Sequence, residues 1–242
     1  MHARTHTQIR RLARWALTTA ALAATAAQAL PITVTSGSSV TFDFNGFYEA
    51  NPITIPGLTA SATLSAFSFV LNDQAGTAND RTTVSFDYSL TNTSTSPVLT
   101  SRVSTMGFNT TPNILASGNS VTGVFSSIAR NGNMPNGIGV VEFCLTNVNC
   151  SGGGGGGVTL GNTGTGTATL RFAGLLSSLT FDGAWVRYQS VSCRQGSPCS
   201  SSASGIGRDR PPTTSVPEPG ALALLALGLA GGAFSLRRRQ AA

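Results

Sequence analysis

Residues 82–91 read Thr-Thr-Val-Ser-Phe-Asp-Tyr-Ser-Leu-Thr, and this stretch decides the fold. Between residues 83 and 90 the even-numbered positions are apolar, namely Val84, Phe86, Tyr88 and Leu90. The odd-numbered positions are polar, namely Thr83, Ser85, Asp87 and Ser89. Successive side chains of a β-strand point to opposite faces, so the alternation predicts a strand with one buried face. A slip of one residue in pairing would expose every ring, so the register is strongly specified.

The same period-two pattern recurs between Val34 and Val191, in short runs separated by Gly, Asn, Pro and Ser. It predicts strands at 38–45, 62–71, 82–91, 98–107, 120–126, 138–145, 167–173, 177–182 and 184–191. No segment of this stretch has the sustained ~3.6-residue period of a helix. Because each sheet must bury its apolar face against another sheet, we expect an all-β fold, either a single antiparallel β-sandwich or a jelly-roll-like domain.

The predicted domain covers residues 30–199. One low-complexity segment lies inside it and a second follows its end. Residues 200–215 are rich in Ser, Gly and Pro, which is typical of a linker. Residues 152–157 are all glycine, but neither Lys followed by Ser or Thr nor a strand-to-helix context accompanies them. A flexible surface loop is therefore favoured over a phosphate-binding loop.

Residues 1–29 have the three parts of a secretory signal peptide. A basic region ends at Arg14, an apolar stretch runs from Trp15, and the small-residue triplet Ala27-Gln28-Ala29 follows. An amphipathic helix belonging to the fold would need a polar face, which three threonines alone would supply. We expect cleavage after Ala29, and therefore export through the Sec machinery.

The net charge of +6 comes from the two ends of the chain. Residues 1–29 hold four arginines and no acid, and residues 217–242 hold three arginines and one acid, Glu218. The region between them has eight arginines, eight acids and no lysine, so it is formally neutral. Such a region lacks the basic surface that neutralises phosphates, and we expect no nucleic-acid partner.

Both histidines, His2 and His6, lie in the predicted signal peptide. The mature chain would therefore have neither a histidine-based catalytic triad nor a histidine-ligated metal site. We expect no cofactor and no metal. Asn72-Asp73 and Asn79-Asp80 carry oxygen ligands suited to calcium, but turn formation explains these residue types equally well.

The four cysteines form two matched pairs, Cys144 with Cys150 and Cys193 with Cys199, each enclosing five residues. Export places them in an oxidising compartment, where this spacing favours local disulfides. Each closed loop would contribute about 2 kcal/mol by restricting the unfolded chain. A four-cysteine zinc site and cross-pairing between the two intervals remain alternatives.

Carboxylates are too scarce to favour an enzyme. Glu49 and Glu142 are the only glutamates of the predicted domain, and a glycosidase needs two carboxylates flanking the scissile bond. Glu142 alternates with Val141 and Phe143, which is typical of a solvated strand face. We therefore expect no enzymatic activity, with a hydrolase built on Glu49, Glu142 or an aspartate as the weaker alternative.

Trp185 is the only tryptophan left after signal removal, and it shares a strand face with Arg187 and Gln189. An exposed tryptophan beside polar residues can stack on a sugar ring, whereas a partly covered tryptophan at a sandwich edge is commoner. A carbohydrate-binding module with Trp185 and Tyr188 as glycan contacts is the resulting alternative function.

The chain ends in a motif, an apolar stretch and a basic cluster. The motif is Val216-Pro217-Glu218-Pro219, the apolar stretch is 220–236, and the cluster is Arg237, Arg238 and Arg239. As a helix the apolar stretch would span roughly 25 Å, slightly less than the ~30 Å hydrocarbon core, and snorkelling arginines can make up the difference. We expect a transmembrane helix whose arginines stay in the cytoplasm; a buried core helix would lack any polar face.

This tripartite end resembles the PEP-CTERM sorting signal of Gram-negative bacteria that make extracellular polysaccharide. Val216, Pro217, Glu218 and Pro219 match its motif position by position. The resemblance implies recognition by exosortase, a membrane enzyme that cuts near the motif. It also implies a chain held transiently in the inner membrane and then released to the cell surface or the biofilm matrix, with a structural or adhesive role among exopolysaccharide.

The folded region resembles the cistern group of PEP-CTERM proteins. The similarity lies in residues 100–104, 106–108, 186–190 and the glycine run. Membership of that group implies no defined biochemical activity.

Overall fold

The computed structural model describes residues 31–72 and 80–209. The regular elements in these ranges are fourteen β-strands without any helix, which confirms the predicted all-β class. The strands are β1 (Ile32–Thr35), β2 (Val40–Phe44), β3 (Phe47–Tyr48), β4 (Ile53–Thr54), β5 (Ala60–Asn72), β6 (Arg81–Thr91), β7 (Val98–Thr111), β8 (Ser120–Val121), β9 (Ser127–Met134), β10 (Gly139–Thr146), β11 (Val158–Thr159), β12 (Thr163–Ala173), β13 (Ser178–Cys193) and β14 (Ser202–Asp209). The predicted signal peptide and transmembrane helix lie outside the described residues.

The strands form one antiparallel sheet in the order β8-β12-β6-β5-β2-β14-β13-β7-β10-β9, folded over into two layers. β14 joins the layers, since Ile206 pairs with Trp185 on β13 and Gly207 pairs with Phe44 on β2. The far ends of the sheet also meet. The Val124 N–H donates to the Thr165 carbonyl of β12 at 3.0 Å, and the Ser126 N–H donates to the Thr146 carbonyl of β10 at 3.2 Å. The sheet therefore nearly closes on itself.

The core lies between the two layers and is rich in phenylalanine. The apolar face of β6 is buried as the alternation predicts, with Phe86 only 1% exposed. Its ring meets Phe181 of β13, on the facing layer, edge to face with centroids 6.3 Å apart. Phe181 also contacts Phe42 and Phe108, at 6.1 and 5.5 Å. Each such ring stabilises the fold by about 2–3 kcal/mol through burial.

The predicted strands differ from the observed ones in several places. Residues 177–182 and 184–191 belong to one strand, β13, and the gap between the two predictions coincides with a register shift against β7 between Phe181 and Gly183. A bulge inserts a residue without ending the strand, so two short apolar runs can belong to one element. Only Ser120–Val121 of the predicted strand 120–126 is a regular strand. β9 was not predicted, because its polar sequence lacks alternation.

The linker predicted at 200–215 is wrong in its first part, because Ser202–Asp209 form β14 inside the sheet. The small residues that suggested a linker are required by crowding between two neighbouring strands. A side chain at Gly207 would approach the Phe44 ring to 2.7 Å, and one at Gly205 would meet the Asn45 carbonyl. The folded domain therefore extends to 209 instead of ending at 199.

Removal of β14 should prevent folding, because it would leave the facing edges of β13 and β2 unpaired and separate the two layers. A mature chain ending at Ser201 is expected to lack near-ultraviolet circular dichroism and a cooperative thermal transition. A chain ending at Pro212, which keeps β14, is the matched control and should unfold cooperatively. Equal melting temperatures for the two chains would contradict the role assigned to β14.

Candidate functional site

The outer face of β7 and β13 carries Trp185, Arg187 and Gln189, on the strand face that alternation predicts. This face is covered by other parts of the chain. Residues 147–157, which follow β10, and the turn at Pro135 and Asn136 lie over it. The sequence could not show this cover, because it comes from segments distant along the chain.

The two disulfides fix this cover and the last strand. Cys144 and Cys150 are joined with their Cα atoms 5.6 Å apart, and Cys193 and Cys199 with theirs 6.0 Å apart. These are the local pairs expected from the spacing. A sulfur in a disulfide cannot serve as a zinc thiolate, so the structure favours disulfides over the zinc alternative. No cluster of three or more potential metal-binding side chains occurs in the described ranges.

The first disulfide belongs to a small apolar cluster on the outer face. Cys144 and Cys150 are buried with Met134 and Val141, and Trp185 packs against them. The second disulfide closes the turn between β13 and β14, so it positions the strand that joins the layers.

Arg187 lies beneath the cover and is only 7% exposed. Its Nε donates to the Ser151 carbonyl at 3.1 Å, and its Nη1 donates to the Ala203 carbonyl of β14 at 3.0 Å. With the Asn136 amide oxygen facing it, Nη1 also donates to Asn136 at 2.9 Å. Burial lowers the pKa of the Arg187 guanidinium from its ordinary value, but an arginine remains charged. Its role is structural, because it ties three separate segments to β13.

The glycine-rich loop, residues 152–157, is exposed at residues 154–156, as expected of a surface loop, and packs on the sheet at its two ends. Five of its six residues have positive φ, a conformation that favours glycine. A side chain at Gly152 would lie 2.9 Å from both Ser104 Oγ and Gln189 Nε2. The Gly153 N–H donates to Gln189 Oε1 at 3.1 Å. Glycine is needed at positions 152 and 157 because there the backbone passes directly over β7 and β13.

The predicted glycan contacts do not form a surface pair. Tyr188 is fully buried on the core side of β13, so it cannot contact a glycan, and its prediction as a glycan contact is wrong. Residues three apart in a strand point to opposite faces, so Trp185 lies on the outer side. Trp185 is half-buried and packs on Gly183 and on the first disulfide's cluster.

The two glutamates have separate surroundings. Glu142 Oε2 accepts hydrogen bonds from the Thr110 N–H at 2.7 Å and from Thr110 Oγ1 at 2.9 Å, and Oε1 accepts from the Ile114 N–H. This carboxylate therefore fixes the turn after β7 and is not simply a solvated strand residue. Glu49 is exposed in the turn after β3, with a φ of 68°.

A shallow groove of about 430 Å³ lies next to the glycine-rich loop, and no pattern in the sequence predicts it. It is lined by Leu99, Thr100, Ser101, Arg102, Thr159, Leu160 and Ser190. These residues come from β7, from β11 with the residue after it, and from the bulge of β13, and strand pairing places Arg102 between Thr159 and Gln189. Only the three-dimensional pairing brings them together. We call this feature the Arg102 groove.

Two buried tyrosines, one with hydrogen-bond partners for its hydroxyl and one without, test how the structure places side chains in the core. The Tyr88 hydroxyl donates to the Thr122 carbonyl at 2.9 Å and accepts from the Phe125 N–H at 3.2 Å. The Tyr188 hydroxyl is buried without a partner among the described residues. Tyr88→Phe should therefore lower the free energy of unfolding by about 1–2 kcal/mol. Tyr188→Phe should leave it unchanged or raise it by up to about 1 kcal/mol, measured by urea unfolding at neutral pH.

Burial raises the pKa of both phenols, so both variants should change how stability depends on pH at high pH. Burial raises the pKa of the Tyr188 phenol well above its ordinary value, so above about pH 10 the unfolded chain loses this proton before the folded chain does. Stability should fall with pH in that window, and Tyr188→Phe should make the fall shallower. An equal loss of stability in both variants at neutral pH would show that the Tyr188 hydroxyl has a partner.

The residues predicted to act in sorting lie outside the described ranges: Ala27, Ala29, Val216, Pro217, Glu218, Pro219, Arg237, Arg238 and Arg239. Within 31–72 and 80–209 there is no helix with the length and apolar character needed to cross a membrane.

Comparison with known proteins identifies the end of the chain. Residues 215–239 match the family described as PEP-CTERM protein-sorting motif. No curated protein and no solved structure matches the chain. The match contains the proline-bounded motif, the apolar stretch and the arginine cluster in one segment. The chain therefore carries a PEP-CTERM protein-sorting motif at its C-terminal end.

Proposed function

We propose that this protein is exported, held briefly in the inner membrane by its tail, and cut by exosortase for display at the cell surface or in the extracellular matrix. The observation that carries the proposal is the sorting-motif match at residues 215–239. Within this proposal the β domain has a structural or adhesive role among exopolysaccharide, and it acts by binding instead of by catalysis.

The short distance between the domain and the motif supports this order of events. β14 ends at Asp209, and six residues separate it from Val216. Even fully extended, such a connection reaches only about 25 Å. Exosortase would therefore cut next to the domain, and a cut at the motif would leave every strand in place.

The two ends of the domain lie close together, which suits a precursor attached at both ends. β1 begins at Ile32, opposite Phe181 of β13, two residues after the predicted signal cleavage at Ala29. β14 runs along the same edge of β13 towards that point, with Ile206 opposite Trp185. Four strand residues separate these positions, roughly 14 Å. A signal peptide and a membrane tail could both leave the domain here.

The motif itself has the chemistry of a protease recognition sequence. Proline disfavours helix in the residue before it, so Val216 and Glu218 are biased towards extended backbone that a protease can bind. Glu218 adds the single negative charge of the tail. The basic cluster would keep the C-terminal end of the helix on the cytoplasmic side of the membrane; it consists of Arg237, Arg238 and Arg239.

Carbohydrate binding through Trp185 remains an alternative only in weakened form. Trp185 is partly covered, and Tyr188 cannot join it. The hydrolase alternative would need Glu142 for catalysis. This carboxylate instead accepts three hydrogen bonds from the turn after β7, so it has a structural use.

Changing the motif should block processing while the domain still folds. In cells with exosortase, Glu218→Ala or Pro217→Ala should leave uncut precursor in the inner-membrane fraction, detected by fractionation and immunoblotting. Replacing Arg237, Arg238 and Arg239 by Ser should weaken membrane retention, and deleting 216–242 should release the folded domain into the periplasm.

Glu49→Ala is the matched control, because Glu49 is an exposed glutamate of the domain. It should be processed like the wild type. Normal cutting and surface delivery of the Glu218→Ala chain would reject this role for the motif.

A further inference from the structure

We propose that the Arg102 groove binds a sugar chain that carries carboxylate groups, with Arg102 as the residue that contacts the carboxylate. This inference rests on the proposed function and names the class of polymer to which the domain would adhere. It moves carbohydrate binding away from Trp185 and Tyr188 to a different part of the same sheet.

Arg102 is oriented by neutral groups. Its Nη2 donates to Gln189 Oε1 at 3.0 Å, and the same oxygen accepts from the Gly153 N–H at 3.1 Å. The Arg102 Nε is buried without a partner among the described residues. None of the seven lining residues is acidic, so no carboxylate within the lining neutralises this guanidinium. A fixed, planar guanidinium suits a carboxylate, and less conformational entropy is lost when it binds.

The rest of the groove suits a sugar ring. Leu99 is 54% exposed and Leu160 is partly buried, so both offer apolar surface to the C–H face of a pyranose. Thr100 Oγ1 donates to the Ser190 carbonyl at 2.8 Å, whereas Thr159 Oγ1 accepts from Asn162 Nδ2 at 2.9 Å and keeps its proton for donation to a sugar hydroxyl. The volume of about 430 Å³ falls in the range of small-ligand sites, about 300–1,000 Å³.

The floor of the groove is rigid. Ser101 is buried beneath it, with its hydroxyl oxygen within hydrogen-bond distance of Asn92 Oδ1 and Ser94 Oγ, 3.2 Å from each. The Leu160 N–H donates to the Ser101 carbonyl at 2.9 Å, which holds the segment after β11 against β7. A site built on such a floor is preformed, so binding would need little reorganisation.

Other anionic partners fit less well. A nucleic acid would need several cations along its backbone, and this groove has one arginine in a neutral domain. An acidic peptide would need deeper pockets for side-chain anchors than a shallow groove rich in hydroxyls provides. A single contact of this kind is weak, but many copies of the protein bound along one polymer would raise the overall affinity through multivalency.

The test uses mature protein released by exosortase-positive cells, titrated calorimetrically with oligogalacturonate. The methyl ester of the same oligosaccharide keeps the sugar backbone and removes the charge. We expect binding of the acid form, at least tenfold weaker binding of the ester, and weakening of the acid form by salt. Poly-glutamate should bind at least tenfold more weakly than oligogalacturonate.

Two variants assign the binding to the groove. Arg102→Gln should weaken binding at least tenfold. Leu99→Asp, which places a like charge beside the ligand at an exposed position, should do the same with an unchanged melting temperature. Arg208→Gln changes an exposed arginine on β14 outside the groove and should bind like the wild type.

Equal binding of the ester, no binding of either oligosaccharide, tighter binding of poly-glutamate, or unchanged binding by Leu99→Asp would each overturn the inference. Sorting is scored in the same cells, where Arg102→Gln should be cut and delivered like the wild type. Absent binding with normal sorting would reject the groove alone, whereas an uncut wild-type chain would reject the proposed function.

Discussion

The hydrogen bonds on the two edges of β14 hold the domain together, because this strand joins one layer of the sheet to the other. Two further features act on the same strand. The Cys193–Cys199 disulfide closes the turn that leads into it, and Arg187 donates to its Ala203 carbonyl. The element nearest the sorting signal is thus also the element on which closure of the fold depends. Closure of the sheet therefore requires the chain up to residue 209.

Sequence patterns predicted the features of this fold that depend on residues close together in the chain. The alternation in β6 places Phe86 in the core, and the spacing of the cysteines matches the disulfides in the structure. β14 was missed because its Ser and Gly content, typical of a linker, is also what a crowded interior strand requires. Composition cannot distinguish these two cases without the neighbouring strands.

The candidate sites show the same division. The sorting signal is contiguous in sequence, so its motif, apolar stretch and arginines could be recognised together. The burial of Arg187 and the Arg102 groove depend on contacts between segments far apart in the chain, and no pattern in the sequence marks them. Trp185 was correctly placed on the outer face, but its cover by residues from β9 and β10 could not be foreseen.

In the proposed function the domain and the tail have separate roles: the tail determines where the protein goes, and the domain determines what it contacts there. Mass spectrometry of the C-terminus of surface-associated protein tests this division most directly. In exosortase-positive cells we expect a new C-terminus at or near residues 216–219, with the domain intact to 209. Surface protein that still ends at Ala242 would contradict cleavage and the role assigned to the motif.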